Sequence, residues 1–178
     1  IKPSFKKSKA TGIALLVSTS MPKFDVDIRS MGSAIDMEQY FDDQHKLFAK
    51  LSLKVTSYFV PRIYPKADYG WDEVGRWQKY PLDIEIDFAA QPLEVVAAKA
   101  RLLIVDYKAT VFGEMLALNF PLVAYWNPSV WQISDQERDA MNLLREVGVF
   151  HTCPEAAAEQ VNKIWDDVQG WWSSSAVQ

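Results

Sequence analysis

Three basic side chains, Arg62, Lys66 and Arg76, bracket a stretch that also carries Tyr64, Asp68, Tyr69, Trp71 and Trp77. Guanidinium and ammonium groups clamp phosphate, and a neighbouring aromatic ring stacks on a base or sugar, so this composition suits a nucleotide. A solvated basic loop whose tryptophans pack into the core has the same composition. A second candidate runs from Asp106 through Thr110 and Glu114 to Pro121. A helix starting near Thr110 would turn its free amides and positive dipole end toward a diphosphate. Glu114, one turn further on the same face, could then accept hydrogen bonds from a hydroxyl pair of a sugar or ribose. The plainer alternative makes Thr110 an N-cap and Glu114 a first-turn acid favoured by the dipole. Ser18 and Thr19, which follow an apolar run, complete the donor-binding candidates and are also ordinary turn residues.

Other reactive side chains are sparse. His45 stands beside Asp42 and Asp43 and reads as an exposed helix residue, and His151 reads as a loop residue. Neither has a second histidine at metal-ligand spacing, so no metal site is expected. Cys153 is the only cysteine, which excludes an internal disulfide and a cysteine zinc cluster; it reads as a buried thiol in a reducing compartment, so the expected location is cytoplasmic. Nucleophile-elbow, dinucleotide and Walker patterns are all missing, which argues against serine-hydrolase chemistry and standard dinucleotide or ATP binding. No cofactor is expected, and the residues leave the catalytic base unassigned.

The elements that would position these groups follow from apolar periodicity. Ile13 to Val17 is a short apolar run ending in Ser18-Thr19-Ser20, as a strand buried on both faces would be. Residues 35 to 53 carry Met37, Tyr40, Phe41, Leu47, Phe48 and Leu51 at helical spacing, with Asp36 as the expected N-cap. Val55 to Val60 predicts a second strand ending at Pro61, Asp72 to Tyr80 a short helix, Leu82 to Phe88 a third strand, and Pro92 to Ala100 a helix. Leu102 to Val105 and Leu122 to Trp126 read as further strands on either side of a helix over Val111 to Leu118 capped by Thr110. Helices over Gln136 to Glu146 and Pro154 to Trp171 flank a short strand at Val147 to Phe150. Strands alternating with helices imply right-handed crossovers and a Rossmann-like α/β fold, a doubly wound parallel sheet with helices on both faces. In such a sheet ligands lie outside the carboxyl ends of the strands, where the candidate loops fall.

Composition agrees with one compact domain. The 178 residues are 49% hydrophobic and 24% charged, as in globular proteins. The formal net charge of -4 gives no reason to expect nucleic acid as a partner. The longest apolar run, Gly12 to Val17, is too short for a transmembrane segment, leaving only peripheral membrane contact open. The polar, lysine-rich residues 1–11 read as a linking segment, 12–172 as the domain and 173–178 as a tail. Beginning at Ile1 and stopping just after a tryptophan pair, the chain is expected to be part of something longer. Trp165, Val168, Trp171 and Trp172 lie on one helical face and read as core or interdomain packing, or, where exposed, as a docking surface for a partner.

The pattern D-x-x-x-T-x-x-x-E-x-L-A-x-N-x-P over Asp106 to Pro121 resembles the donor-site motif of GT-B-type glycosyltransferases. More narrowly, Arg62-x-Tyr-Pro-x-x-Asp-Tyr-Gly-Trp71, Tyr125-Trp-Asn-Pro128, Pro154-Glu-Ala-Ala157 and Trp171-Trp172 are similar to a family of bacterial surface-polysaccharide transferases, over about residues 12 to 172. The resemblance implies one half of a GT-B fold, binding a nucleotide-sugar donor as substrate and needing an amino-terminal domain for turnover. It assigns donor phosphates to Arg62, Lys66, Thr110 and the amides after it, and hydroxyls to Glu114, with no obligatory metal. The chain departs from related polymer transferases in carrying Tyr64 before Pro65, where they often carry histidine. Two other functions fit the same features: a sugar-nucleotide epimerase half-domain, and a noncatalytic assembly module docking through its Trp-rich carboxyl helix.

Overall fold

The computed structural model describes residues 12–23, 34–65 and 69–178. Among them, five parallel strands form one sheet in the order β2-β1-β3-β4-β5. They are β1 (Ile13–Val17), β2 (Phe59–Arg62), β3 (Ala100–Val105), β4 (Leu122–Tyr125) and β5 (Phe150–His151). The helices are α1 (Ala34–Lys50), α2 (Leu53–Thr56), α3 (Glu73–Gln78), α4 (Leu93–Ala97), α5 (Thr110–Ala117), α6 (Arg138–Glu146), α7 (Pro154–Ile164) and α8 (Val168–Trp172). This is the Rossmann-like α/β architecture expected from the alternation.

Strand pleating explains the unbroken apolar runs. Ala14, Leu16, Leu102, Ile104, Val123 and Tyr125 face one core with Leu47 and Phe48 of α1 and Ala158 and Val161 of α7. Their neighbours Leu15, Val17, Leu103, Val105, Leu122 and Ala124 face a second core with Val111 and Met115 of α5 and Met141 of α6. Successive side chains point to opposite faces, and a helix layer covers each, so every position of β1 is apolar.

Several boundaries differ from the sequence expectation. Val55 and Thr56 belong to α2 rather than to a strand, because Ser52 caps that helix by accepting from the Val55 amide. Strand β2 then runs through Pro61 to Arg62. Proline is tolerated because β2 is an edge strand and Pro61 points its backbone away from β1, its carbonyl accepting from the Asp87 amide at 3.0 Å. The strand expected over Leu82 to Phe88 reduces to a single bridge between Arg62 and Asp87; Ile84 and Ile86 pack against the core without forming a ladder. Asp36 lies within the first turn of α1, which already begins at Ala34. Gly148, at φ +78° just past α6, permits the sharp turn into β5.

The long carboxyl helix is broken by a 3₁₀ turn at Trp165–Asp167, and α8 restarts where the Asp167 carboxylate accepts from the Gly170 amide at 2.9 Å. Trp165 and Trp172 are buried, and the Trp172 indole donates to Asn119 in the turn between α5 and β4. The tryptophan stripe is thus mainly core packing, with Trp171 partly exposed, and it offers little surface for a docking partner. Cys153, expected to be buried, is exposed at the N-cap of α7. Among the described residues no helix is long and apolar enough to cross a membrane. Trp165→Ala and Trp172→Ala should each cost about 3–5 kcal/mol and lower the thermal midpoint by several degrees; an unchanged midpoint in calorimetry would place the rings outside the core.

Candidate functional site

Strand order reverses between β1 and β3: the chain leaves β1 toward β2 on one side and leaves β3 toward β4 on the other. Loops diverging from adjacent carboxyl ends open a crevice, the usual ligand position in this architecture. Asp106 forms its floor. The residue is buried, and its carboxylate accepts from the Tyr40 hydroxyl at 2.8 Å and from the Gln44 amide at 2.7 Å. Tyr40 and Gln44 are four residues apart on α1 and so share a face. The Tyr40 hydroxyl also accepts from the Thr19 amide at 2.8 Å, so one tyrosine joins the ends of β1 and β3. Burial pushes Asp106 up to about 7 against those hydrogen bonds, and burial with the Asp106 charge raises Tyr107 to about 12.

A second layer comes from the segment after β2. The Lys23 amide donates to the Tyr69 carbonyl at 2.8 Å, and the Trp71 indole donates to the Met21 carbonyl at 2.7 Å. These bonds lace the approach to α3 onto the loop after β1. Glu73, the first residue of α3, is thereby set close to Ser20. Burial raises the Glu73 carboxyl, while the Ser20 hydroxyl, the Tyr64 amide and Arg76 favour its charged form. The Ser20 hydroxyl is buried and makes no hydrogen bond of regular geometry, so its approach to Glu73 is looser than a full bond. Aromatic rings line the surroundings. Tyr64 stacks on Tyr69 at 5.8 Å, Trp71 packs edge-on to Phe41, Trp131 packs edge-on to Tyr40, and the Arg76 guanidinium lies 4.4 Å over the Phe41 ring.

The expected site residues divide into those the crevice gathers and those the fold employs elsewhere. Thr19, Tyr64, Trp71, Arg76 and Asp106 surround the crevice. Ser18 does not serve as a free hydroxyl: it donates to the Arg62 carbonyl at 2.7 Å and ties β1 to β2. Arg62 is engaged by the Asp87 carboxylate at 2.5 Å and the Gln91 carbonyl at 2.8 Å, so it holds the Asp87 bridge in place. Thr110 is the first residue of α5 rather than its cap; Ala109 holds the cap position, with no side chain bonded to the free amides. Glu114 is exposed on α5. Lys66 and Asp68 lie outside the described residues. Lys108 reaches across to the Gln132 carbonyl and to Glu137, joining the loops after β3 and β4. His45 is partly buried against Trp77 and bonded to the Tyr80 hydroxyl, and His151 sits in β5 bonded to the Gly148 carbonyl. A cavity of about 500 Å³ at the opposite, amino-terminal edge of the sheet, beside Arg101, Asn119 and Asp167, is remote from all of these groups.

The model of the LIC12162 family transferases matches residues 2–178. The chain belongs to that family. No curated protein and no solved structure matches it. In this LIC12162 family transferase, sequence reasoning missed Ser20, Tyr40, Gln44, Glu73 and Tyr107. The spacing of Tyr40 and Gln44 on an otherwise apolar helix face was their one local signal, since two polar groups facing a core must find a buried partner.

Asp106 also sets a pH dependence. Its carboxyl rises from 3.8 to about 7 on folding, so between those values the folded chain holds a proton that the unfolded chain has released. Stability from this group is therefore present below pH 3.8 and is lost as pH climbs through about 7. Denaturant titrations across that window should show this decline, and Asp106→Asn, with the Gln44 amide free to turn over, should flatten it.

Proposed function

We propose that this transferase domain binds a nucleotide-sugar donor in the crevice between β1 and β3, as the donor half of a GT-B-type glycosyltransferase of surface polysaccharide synthesis. The observation that carries this reading is the uncapped amino terminus of α5, which starts directly after the reversal of strand order. Amides with no side-chain cap and a positive dipole end are suited to the diphosphate of such a donor. The flanking Tyr64, Tyr69, Trp71 and Tyr107 rings suit a base or the apolar face of a sugar. Transfer from a nucleotide sugar leaves a nucleoside diphosphate, and fixed dipoles aimed at that leaving group stabilise the charge as it develops. The acceptor site and catalytic base then come from a second domain, as two-domain GT-B architecture requires. Arg62 is assigned a structural part, because a phosphate would have to displace Asp87 to reach it.

Calorimetric titration with ADP, GDP, UDP and CDP and their glucose conjugates tests the proposal. Saturable binding of at least one is expected. Proline fits the first helical position without disturbing the helix but removes its N–H donor. Thr110→Pro should therefore weaken binding by about tenfold, the value of one charge-assisted hydrogen bond, whereas Thr110→Ala should leave it nearly unchanged. Absence of binding across the whole panel would overturn the reading.

A further inference from the structure

We propose that Ser20 and Glu73, rather than Glu114, form the hydroxyl-reading pair of the crevice, taking adjacent hydroxyl groups of a ribose or a sugar ring. The inference rests on the donor-binding reading above and names the side chains that would recognise the polyol part of that ligand.

Ser20 supplies the first argument. It is 5% exposed, and its hydroxyl finds only a loose approach to Glu73, although a buried polar group held without a full hydrogen bond is destabilising. Its position three residues beyond β1 and its approach to Glu73 put this loosely satisfied hydroxyl beside the crevice. A ligand hydroxyl completes the hydrogen bonding of this pair, whereas a phosphate would bring a second negative charge toward Glu73.

Glu73 supplies the second. Its backbone is fixed at the start of α3, and the bonds from Lys23 to Tyr69 and from Trp71 to Met21 fasten that approach to the loop carrying Ser20. A carboxylate offers about four lone-pair positions, enough to hold the Tyr64 amide and still accept from two neighbouring hydroxyls. Paired acceptance of this kind needs a carboxylate of defined orientation in a partly dry site. Glu114 lacks that support: it is exposed on α5, and ordering its side chain at the moment of binding would cost rotamer entropy. The Tyr64 ring, whose own amide acts on Glu73, stacks with Tyr69 and gives the C–H face of a sugar a flat surface to rest on.

The test compares Glu73→Gln, Ser20→Ala and Glu114→Ala in calorimetric titrations with the nucleoside diphosphates, their 2′-deoxy forms and their glucose conjugates. Thermal midpoints confirm that each variant is folded. Glu73→Gln should weaken binding by about tenfold, Ser20→Ala by a smaller factor, and Glu114→Ala should leave it unchanged. A loss seen with a nucleoside diphosphate but not with its 2′-deoxy form assigns the pair to ribose. A loss confined to the glucose conjugates assigns it to the sugar. Weakening by Glu114→Ala with Glu73→Gln unaffected overturns the pair, as does unchanged affinity in all three variants. If no nucleotide binds the wild type, the donor reading fails separately, and an amide NMR titration with ribose 5-phosphate and methyl glucoside decides the pair. Shifts at Ser20 and Tyr64 that vanish in Glu73→Gln support it, and no shift at either residue with either probe overturns it.

Discussion

A carboxylate withdrawn from water costs several kcal/mol unless hydrogen bonds replace its hydration, and Asp106 is the one buried acid among the described residues. The replacement comes from Tyr40 and Gln44 on α1, an element more than sixty positions away in sequence. Because Tyr40 also receives the Thr19 amide, the same contacts fix the position of α1 over the sheet and the relation of β1 to β3. Apolar packing alone would let α1 slide along the sheet face at modest cost, since dispersion contacts are many and individually weak. A buried carboxylate with two directional donors permits one register, and the geometry of the crevice above it follows from that register.

Burial on both faces decides which parts of the fold could be read from sequence. Strands β1, β3 and β4 were legible because they are covered on both faces, which leaves an unbroken apolar run bounded by polar turns. The edge was not. Val55 and Thr56 have strand-like side chains, but Ser52 offers a cap, and a local hydrogen bond decided the conformation. In Leu82 to Phe88 the alternation of Ile84 and Ile86 with acids is real, yet it records a segment laid against the core beside β2, where one bridge forms and a ladder does not. Periodicity reports which side of a segment is buried and says nothing of its hydrogen-bond partner.

The candidate crevice was legible to the level of loops, because the topological rule points to strand ends whatever the residues are. Individual side chains were not, for a reason visible in Arg62. An arginine next to a tyrosine and a proline in a ligand-facing loop reads as a phosphate clamp, but its partner Asp87 lies 25 positions on, in a segment whose path could not be inferred. Ser18 stood among the donor-binding candidates for the same reason, its acceptor being a carbonyl on a strand whose boundary was itself uncertain from sequence. Ser20 and Glu73 escaped notice because neither is unusual locally; only the lacing of the two loops makes them neighbours.

With Arg62 engaged by Asp87, the electrostatics of the crevice take a particular form. An anion arriving between β1 and β3 meets two acids, Asp106 and Glu73, each of which raises the energy of a second negative charge nearby. The fold moderates both. Burial raises the Asp106 carboxyl to about 7, so near neutral pH it is protonated for much of the time, and Arg76 lies close enough to Glu73 to offset part of its charge. Among the described residues the amide dipoles of α5 add an attraction that is fixed by the backbone and costs no side-chain ordering when a ligand binds. On the proposed donor-binding reading, such a crevice would gain its selectivity from hydroxyl and ring contacts more than from net charge, because a bare phosphate would use the helix terminus, whereas a ligand joining a diphosphate to a polyol would use both sides of it.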